Sequence, residues 1–109
     1  MTEGEKEVLV KEFHAEMVDV YRRALREHKY KATFFIAMVG EHGGLEAANI
    51  LLHAADAQSG LERLRELDAL DISMEWTVLQ PRFAPLFSAD ELQIARDRLT
   101  AMGYTRQKL

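Results

Sequence analysis

The fold of this chain is decided by one stretch of sequence, Met38-Val39-Gly40-Glu41-His42-Gly43-Gly44-Leu45-Glu46-Ala47-Ala48-Asn49-Ile50-Leu51-Leu52-His53. Glycine tolerates the left-handed backbone conformations that close a helix C-terminus, which predicts that one helix stops at Gly43. Gly44 then allows a second helix to start at once, over Leu45–Ala54. The junction predicts an all-helical protein with a tight helix-glycine-glycine-helix turn.

The composition is that of a soluble globular protein. The chain has 109 residues, of which 48% are hydrophobic and 29% are charged. This length predicts a single domain over residues 1–109, and the junction predicts that the domain is all-helical. No apolar run approaches the ~20 residues that cross a bilayer, and the acidic start of the chain is unlike a secretory leader. The absence of cysteine excludes disulfides and thiolate chemistry. Together these features predict a cytoplasmic protein.

Apolar residues recur every three or four positions outside the junction, which is typical of amphipathic helices. The longest predicted helix runs from about Glu5 to His28, with acids in its first turns and bases in its last, as the helix dipole favours. A second helix opens at Thr33 or Ala32 and is apolar around most of its circumference, which predicts a central position. The later elements are a flexible loop at 55–60, a helix over about 60–67, a short helix before Pro81, and a last helix after Ser88 to about Met102.

The cleanest local signal is the start of that last helix. Ser88 and Glu91 have the spacing of a capping box, in which each side chain accepts a hydrogen bond from the backbone amide of the other residue. Three aromatic residues precede it, namely Trp76, Phe83 and Phe87. They would suit a ligand pocket, but in a domain with few aromatic residues we expect them in the core.

The sequence contains no recognisable metal or phosphate site. Glu12 and Glu16 share a helix face, but His14 points almost opposite, and the histidine spacing of zinc-binding helices is absent. Gly43-Gly44 follows a predicted helix and lacks the pattern of a phosphate-binding loop. We therefore predict no metal and no organic cofactor.

Three residues around the junction are candidates for acid-base chemistry. Glu41, His42 and His53 flank the two glycine-linked helices, and histidine has its ordinary pKa near neutrality. A Glu–His pair would supply an acid and a base, but no nucleophile or oxyanion donor is specified nearby. A structural position at a helix end, where the dipole favours a positive charge, explains His42 equally well.

A basic cluster, comprising Arg22, Arg23, Arg26, Lys29 and Lys31, separates two acidic parts of the chain. Arg22, Arg26 and Lys29 form one stripe along a helix. Such a stripe suits the phosphates of nucleic acid or an acidic protein surface. The alternative is that these bases complement the helix dipole and the remainder of a chain whose net charge is −4.

The pattern from Phe34 to Tyr104 resembles a group of short bacterial helical domains that have no assigned activity. The residues that carry the resemblance are Met38-Val39, His42-Gly43-Gly44-Leu45-Glu46-Ala47-Ala48, Leu51-Leu52-His53, Ser59-Gly60, Leu67, Leu70-Asp71-Ile72-Ser73, Glu75, Val78-Leu79, Pro81, Phe83, Leu86-Phe87 and Gly103-Tyr104. The resemblance implies a compact all-α fold in the bacterial cytoplasm. It supplies no catalytic residue, because these positions are mostly apolar, capping or turn residues.

These patterns predict a compact all-α bundle of five to six helices with the longest helix first. The sequence specifies helices and turns but no set of catalytic residues. This favours a non-enzymatic interaction or regulatory module that binds another macromolecule, most simply a protein. The alternatives are a nucleic-acid-binding accessory protein that uses the basic cluster at residues 22–31, and a small enzyme that uses the Glu41, His42 and His53 region. The apolar surplus on the second and third helices also allows a homodimer.

Overall fold

The predicted all-α architecture is confirmed by the computed structural model, which describes residues 1–54 and 59–104. No strand occurs in these two ranges. The α-helices are α1 (Glu3–His28), α2 (Thr33–His42), α3 (Gly44–His53), α4 (Ser59–Glu66), α5 (Met74–Val78) and α6 (Ala89–Ala101). Two short 3-10 helices lie at Leu70–Ile72 and Ala84–Leu86. Most of the loop predicted at 55–60 lies outside the described residues.

Both ends of α1 are set by capping residues. Thr2 accepts a hydrogen bond from the backbone N–H of Glu5, and the Glu5 carboxylate accepts one from the backbone N–H of Thr2. This capping box starts α1 two residues before the predicted start at Glu5. Lys29 adopts a left-handed conformation with φ of 55° and closes the helix, so the short link before α2 lies where it is predicted.

The helix-glycine-glycine-helix junction is present, and each glycine has its own physical reason. Gly43 has φ of +83° and ends α2 while it precedes α3. Gly44 is the first residue of α3 and faces α1, where a Cβ atom would lie 2.6 Å from the Cα of His14. Gly44 is therefore required by the close approach of two helices, in addition to the permissive entry that the sequence predicts.

The core is built from α1 and α3 with α5, α6 and the link between them. Phe13 and Met17 of α1 are fully buried, and the Phe13 ring packs edge-on against Phe83 and Phe87, with ring centroids 5.3 Å apart in each pair. Trp76 packs against a second apolar cluster formed around Leu61, Leu64 and Leu99. The prediction that these aromatic residues serve packing is confirmed.

The predicted central position of α2 is wrong. Val39 is the buried residue of this helix, whereas Phe34 is 70% exposed. The helix packs on α1 and α3, where Phe35, Ile36 and Met38 are partly buried against the core, so only one side of the helix is covered. An apolar circumference shows that a helix can be buried, but burial also needs further elements of the chain to cover it.

The starts of α5 and α6 follow from side-chain caps. Ser73 accepts a hydrogen bond from the backbone N–H of Trp76 at the start of α5. Ser88 and Glu91 form the predicted capping box of α6. The loop between α5 and α6 is tied to α1 by an ion pair between Arg82 and Glu12.

Candidate functional site

Two concave regions of the surface are candidates for a functional site. The first, called here the histidine groove, lies between α1 and the α2–α3 junction, has a volume of about 840 Å³ and is lined by His14, His42 and His53 among others. The second, called here the apolar cavity, has a volume of about 470 Å³ and lies among α1, α2, α3, α4 and α5. The two regions differ in chemistry, since histidines line the first and apolar side chains dominate the second.

In the histidine groove, His14 serves as a cap for α3. Its Nδ1 atom accepts a hydrogen bond of 2.9 Å from the backbone N–H of Gly44. The first amides of a helix have no partner within the helix, and here α1 supplies one from a residue thirty positions earlier. His14 therefore joins two helices through a nitrogen that carries no proton.

We expect His14→Ala to lower the free energy of unfolding by about 1–3 kcal/mol, because a buried amide loses its acceptor. His42→Ala is the matched control, since His42 lines the same groove and makes no hydrogen bond through its ring to any residue in ranges 1–54 and 59–104. Its effect should stay within about 0.5 kcal/mol. Urea unfolding followed by circular dichroism measures both, and equal losses in the two variants would contradict the capping role.

His53 has a different partner at the other end of the groove. Its Nε2 atom lies 3.1 Å from Oε2 of Glu91, the capping-box residue of α6. Burial alone would raise the pKa of Glu91, but hydrogen bonds from the Ser88 backbone and from His53 outweigh it, so the pKa lies below its ordinary value. The contact joins the end of α3 to the start of α6.

The acid-base candidates from the sequence are thus only partly brought together. His42 and His53 line the histidine groove, whereas Glu41 is exposed and lies outside its lining. Asn49 Oδ1, also in the groove, is buried and has no hydrogen-bond partner among the described residues. No group of three or more histidine, aspartate or glutamate residues in ranges 1–54 and 59–104 is placed to hold a metal ion.

The basic cluster is partly neutralised by an acid on its own helix. Glu27 accepts hydrogen bonds from Arg23 at 3.1 Å and from Arg26 at 3.5 Å. The bond from Arg23, above all, holds the pKa of Glu27 below its ordinary value. The remaining members, Arg22, Lys29 and Lys31, are exposed.

A buried ion pair that sequence reasoning missed lies beside the apolar cavity. Nη1 of Arg98 on α6 donates to Oε2 of Glu75 on α5 at 3.2 Å, and the two side chains are only 7% and 5% exposed. Nη2 of Arg98 donates to the carbonyl oxygens of Leu52 and Ala54, at 3.0 Å each. The guanidinium therefore satisfies the C-terminal end of α3 while it pairs with Glu75.

Burial raises the pKa of Glu75 although Arg98 acts in the opposite direction. The sequence contains a signal for the burial of Arg98 but none for its pairing with Glu75. Arg98 follows the buried Ala95 by three positions, so a charged residue lies in phase with the core-facing stripe of α6. Glu75 gave no such signal, because α5 is too short to establish a phase.

The fold and its surface features define an all-α bundle with an apolar cavity and a buried ion pair. No helix in the described ranges has both the length and the apolar character needed to cross a membrane. Comparisons with protein-family models, with curated proteins and with solved structures gave no match to this chain. The resemblance to short bacterial helical domains therefore stays a prediction.

Proposed function

We propose that the chain is a non-enzymatic interaction module that binds another protein through the exposed apolar surface of α2. The observation that carries this proposal is Phe34, a large aromatic side chain that is 70% exposed. Ile50 of α3 is 38% exposed and, like Phe34, lines the apolar cavity. Aromatic anchors of this kind contribute a large share of binding energy at protein interfaces.

The placement of the histidines supports a non-enzymatic role. His14 bonds a helix amide and His53 bonds a capping glutamate, so both rings are engaged in contacts that hold helices together. A catalytic base needs a reacting group within hydrogen-bond reach. The hydrogen bonds of His14 and His53 instead connect helices of the bundle.

The charges of the basic cluster favour a protein partner over nucleic acid. Glu27 engages two of its arginines, and the whole chain carries a net charge of −4. Affinity for nucleic acid rises with the number of phosphates that free basic residues neutralise. Nucleic acid is therefore the alternative that the experiment below must separate from a protein partner.

The test compares capture of proteins from a bacterial lysate by the immobilised chain and by two variants. Phe34→Asp places a charge on the proposed surface, and Val8→Asp places the same charge on an exposed apolar residue near the start of α1. We expect one protein to be retained after nuclease treatment and at high salt, and its recovery to fall about tenfold or more in Phe34→Asp alone. Quantitative mass spectrometry measures the recovery.

Two other results would contradict the proposed function. Equal recovery of the captured protein by Phe34→Asp and Val8→Asp would show that α2 is not the binding surface. Recovery that disappears with nuclease, and also when Arg22, Lys29 and Lys31 are changed to glutamate, would establish the nucleic-acid alternative. Sedimentation of the purified chain, with Phe34→Asp as the comparison, shows whether the partner is a second copy.

A further inference from the structure

The apolar cavity has the size and lining of a small-molecule site. Its volume of about 470 Å³ falls in the range of roughly 300–1,000 Å³ that is usual for ligand pockets. Its walls come from apolar residues of several helices, including Val20, Met38, Leu51 and Leu64. Such sites generally combine an apolar lining with a few polar groups that orient the ligand.

The described lining of the cavity contributes a single charged side chain, and it is an acid. Sixteen described residues line the cavity, and Glu75 is the charged one among them. Its partner Arg98 is absent from these lining residues, and both of its amino groups already donate, one to Glu75 and one to the end of α3. The cavity thus adjoins the negative member of the ion pair, in surroundings where charges interact more strongly than in water.

We propose that the apolar cavity binds a small apolar molecule that carries a protonated amine. The apolar part of the ligand would occupy the space between α1, α2 and α3, and the ammonium group would lie toward Glu75. Burial raises the pKa of Glu75 because it destabilises the ionised carboxylate. A second cation close to this carboxylate would reduce that destabilisation. A ligand with a carboxylate would bring a like charge into the same space and would be rejected.

The inference goes beyond the proposed function and does not depend on it, because its test contains the purified full chain and no partner. The probes are n-decylamine, n-decanol and n-decanoate, which share one chain length and differ in charge. The two ionic probes are used below their critical micelle concentrations, and n-decanol is used below its solubility limit. Calorimetry measures affinity, and methyl NMR shifts at Met38, Leu51, Leu64 and Met74 locate binding. We expect n-decylamine to bind about tenfold more tightly than n-decanol, and n-decanoate to bind most weakly.

Two pairs of variants separate this cavity from general attraction of amines to an acidic protein. Glu75→Gln should remove the preference for the amine over the alcohol, whereas Glu66→Gln, a change at an exposed carboxylate, should leave it intact. Moderate salt screens the exposed charges in both experiments.

Gly60→Leu keeps the test decisive if Glu75→Gln fails to fold. A Cβ at Gly60 would lie 3.5 Å from the Tyr30 hydroxyl, an ordinary contact distance, so a leucine there should fill the cavity. We expect it to weaken binding of both the amine and the alcohol about tenfold or more. The matched change Gly40→Leu, at a position where a Cβ meets no atom within 4 Å, should leave binding unchanged.

Several results would overturn the proposal. They are equal affinity for the amine and the alcohol in the wild-type chain, binding that survives Gly60→Leu, and methyl shifts outside the cavity. Failure of all three probes to bind would overturn it as well. The α2 interaction surface would still stand or fall on the Phe34→Asp capture experiment alone.

Discussion

Gly44→Ala is expected to lower the free energy of unfolding by about 3 kcal/mol, near the upper end of the usual cost of overpacking. The added Cβ would lie 2.6 Å from the Cα of His14 and 3.2 Å from Cγ of Met17. The Met17 side chain can rotate away, but a backbone atom cannot. The two helices must therefore move apart, which also weakens the hydrogen bond from the Gly44 amide to His14.

Gly40→Ala is the control, and its expected effect has the opposite sign. Gly40 lies within α2, where a Cβ would meet no atom within 4 Å. Alanine is favoured over glycine inside helices, so this variant should gain about 0.5–1 kcal/mol. Urea unfolding measures both variants, and a gain of stability in Gly44→Ala would show that α1 and α3 do not approach as closely as described.

The junction illustrates how far sequence reasoning reaches. The glycine pair and the apolar periodicity predict the two helices and the tight turn between them. They do not predict that Gly44 contacts α1, because this contact depends on His14, thirty positions earlier. Local signals predict where helices begin and end, whereas the distance between two helices depends on the side chains at their crossing.

The exposure of α2 and the pairing of Arg98 with Glu75 could not be predicted from the sequence for a related reason, although the position of Arg98 on α6 marks it as a buried charge. The apolar residues of α2 predict a buried helix, yet Phe34 remains exposed, because the sequence does not specify which elements cover a helix. Glu75 and Arg98 are 23 positions apart and meet only after α5 and α6 pack. The capping box at Ser88 and Glu91 is fully local, and its prediction is confirmed.

Arg98→Met should have the largest effect of all the single changes considered, a loss of about 3–5 kcal/mol at neutral pH. Removing one partner of a buried ion pair leaves the other charge uncompensated. Here the change also leaves the carbonyl oxygens of Leu52 and Ala54 without their donor. Arg96→Met is the control, since Arg96 is exposed on the same helix and its effect should stay within about 0.5 kcal/mol.

The pH dependence of that loss identifies its cause. Because the folded chain holds the proton of Glu75 more tightly than an unfolded chain does, ionising this residue costs stability as pH rises above its ordinary pKa of 4.5. Arg98 lowers the pKa of Glu75, so its removal widens the gap between the folded and unfolded values. The loss caused by Arg98→Met should therefore be smaller at about pH 5 than at about pH 8.

Urea unfolding of the wild type, Arg98→Met and Arg96→Met across this range provides the measurement. The lowered pKa of Glu91 is common to all three proteins, so its contribution cancels when the variants are compared with the wild type. A loss in Arg98→Met that is constant with pH would assign the effect to the helix carbonyls of α3 rather than to the charge of Glu75. A loss that grows with pH would establish Glu75 as a buried carboxylate held ionised by Arg98, the property on which recognition of an amine in the apolar cavity depends.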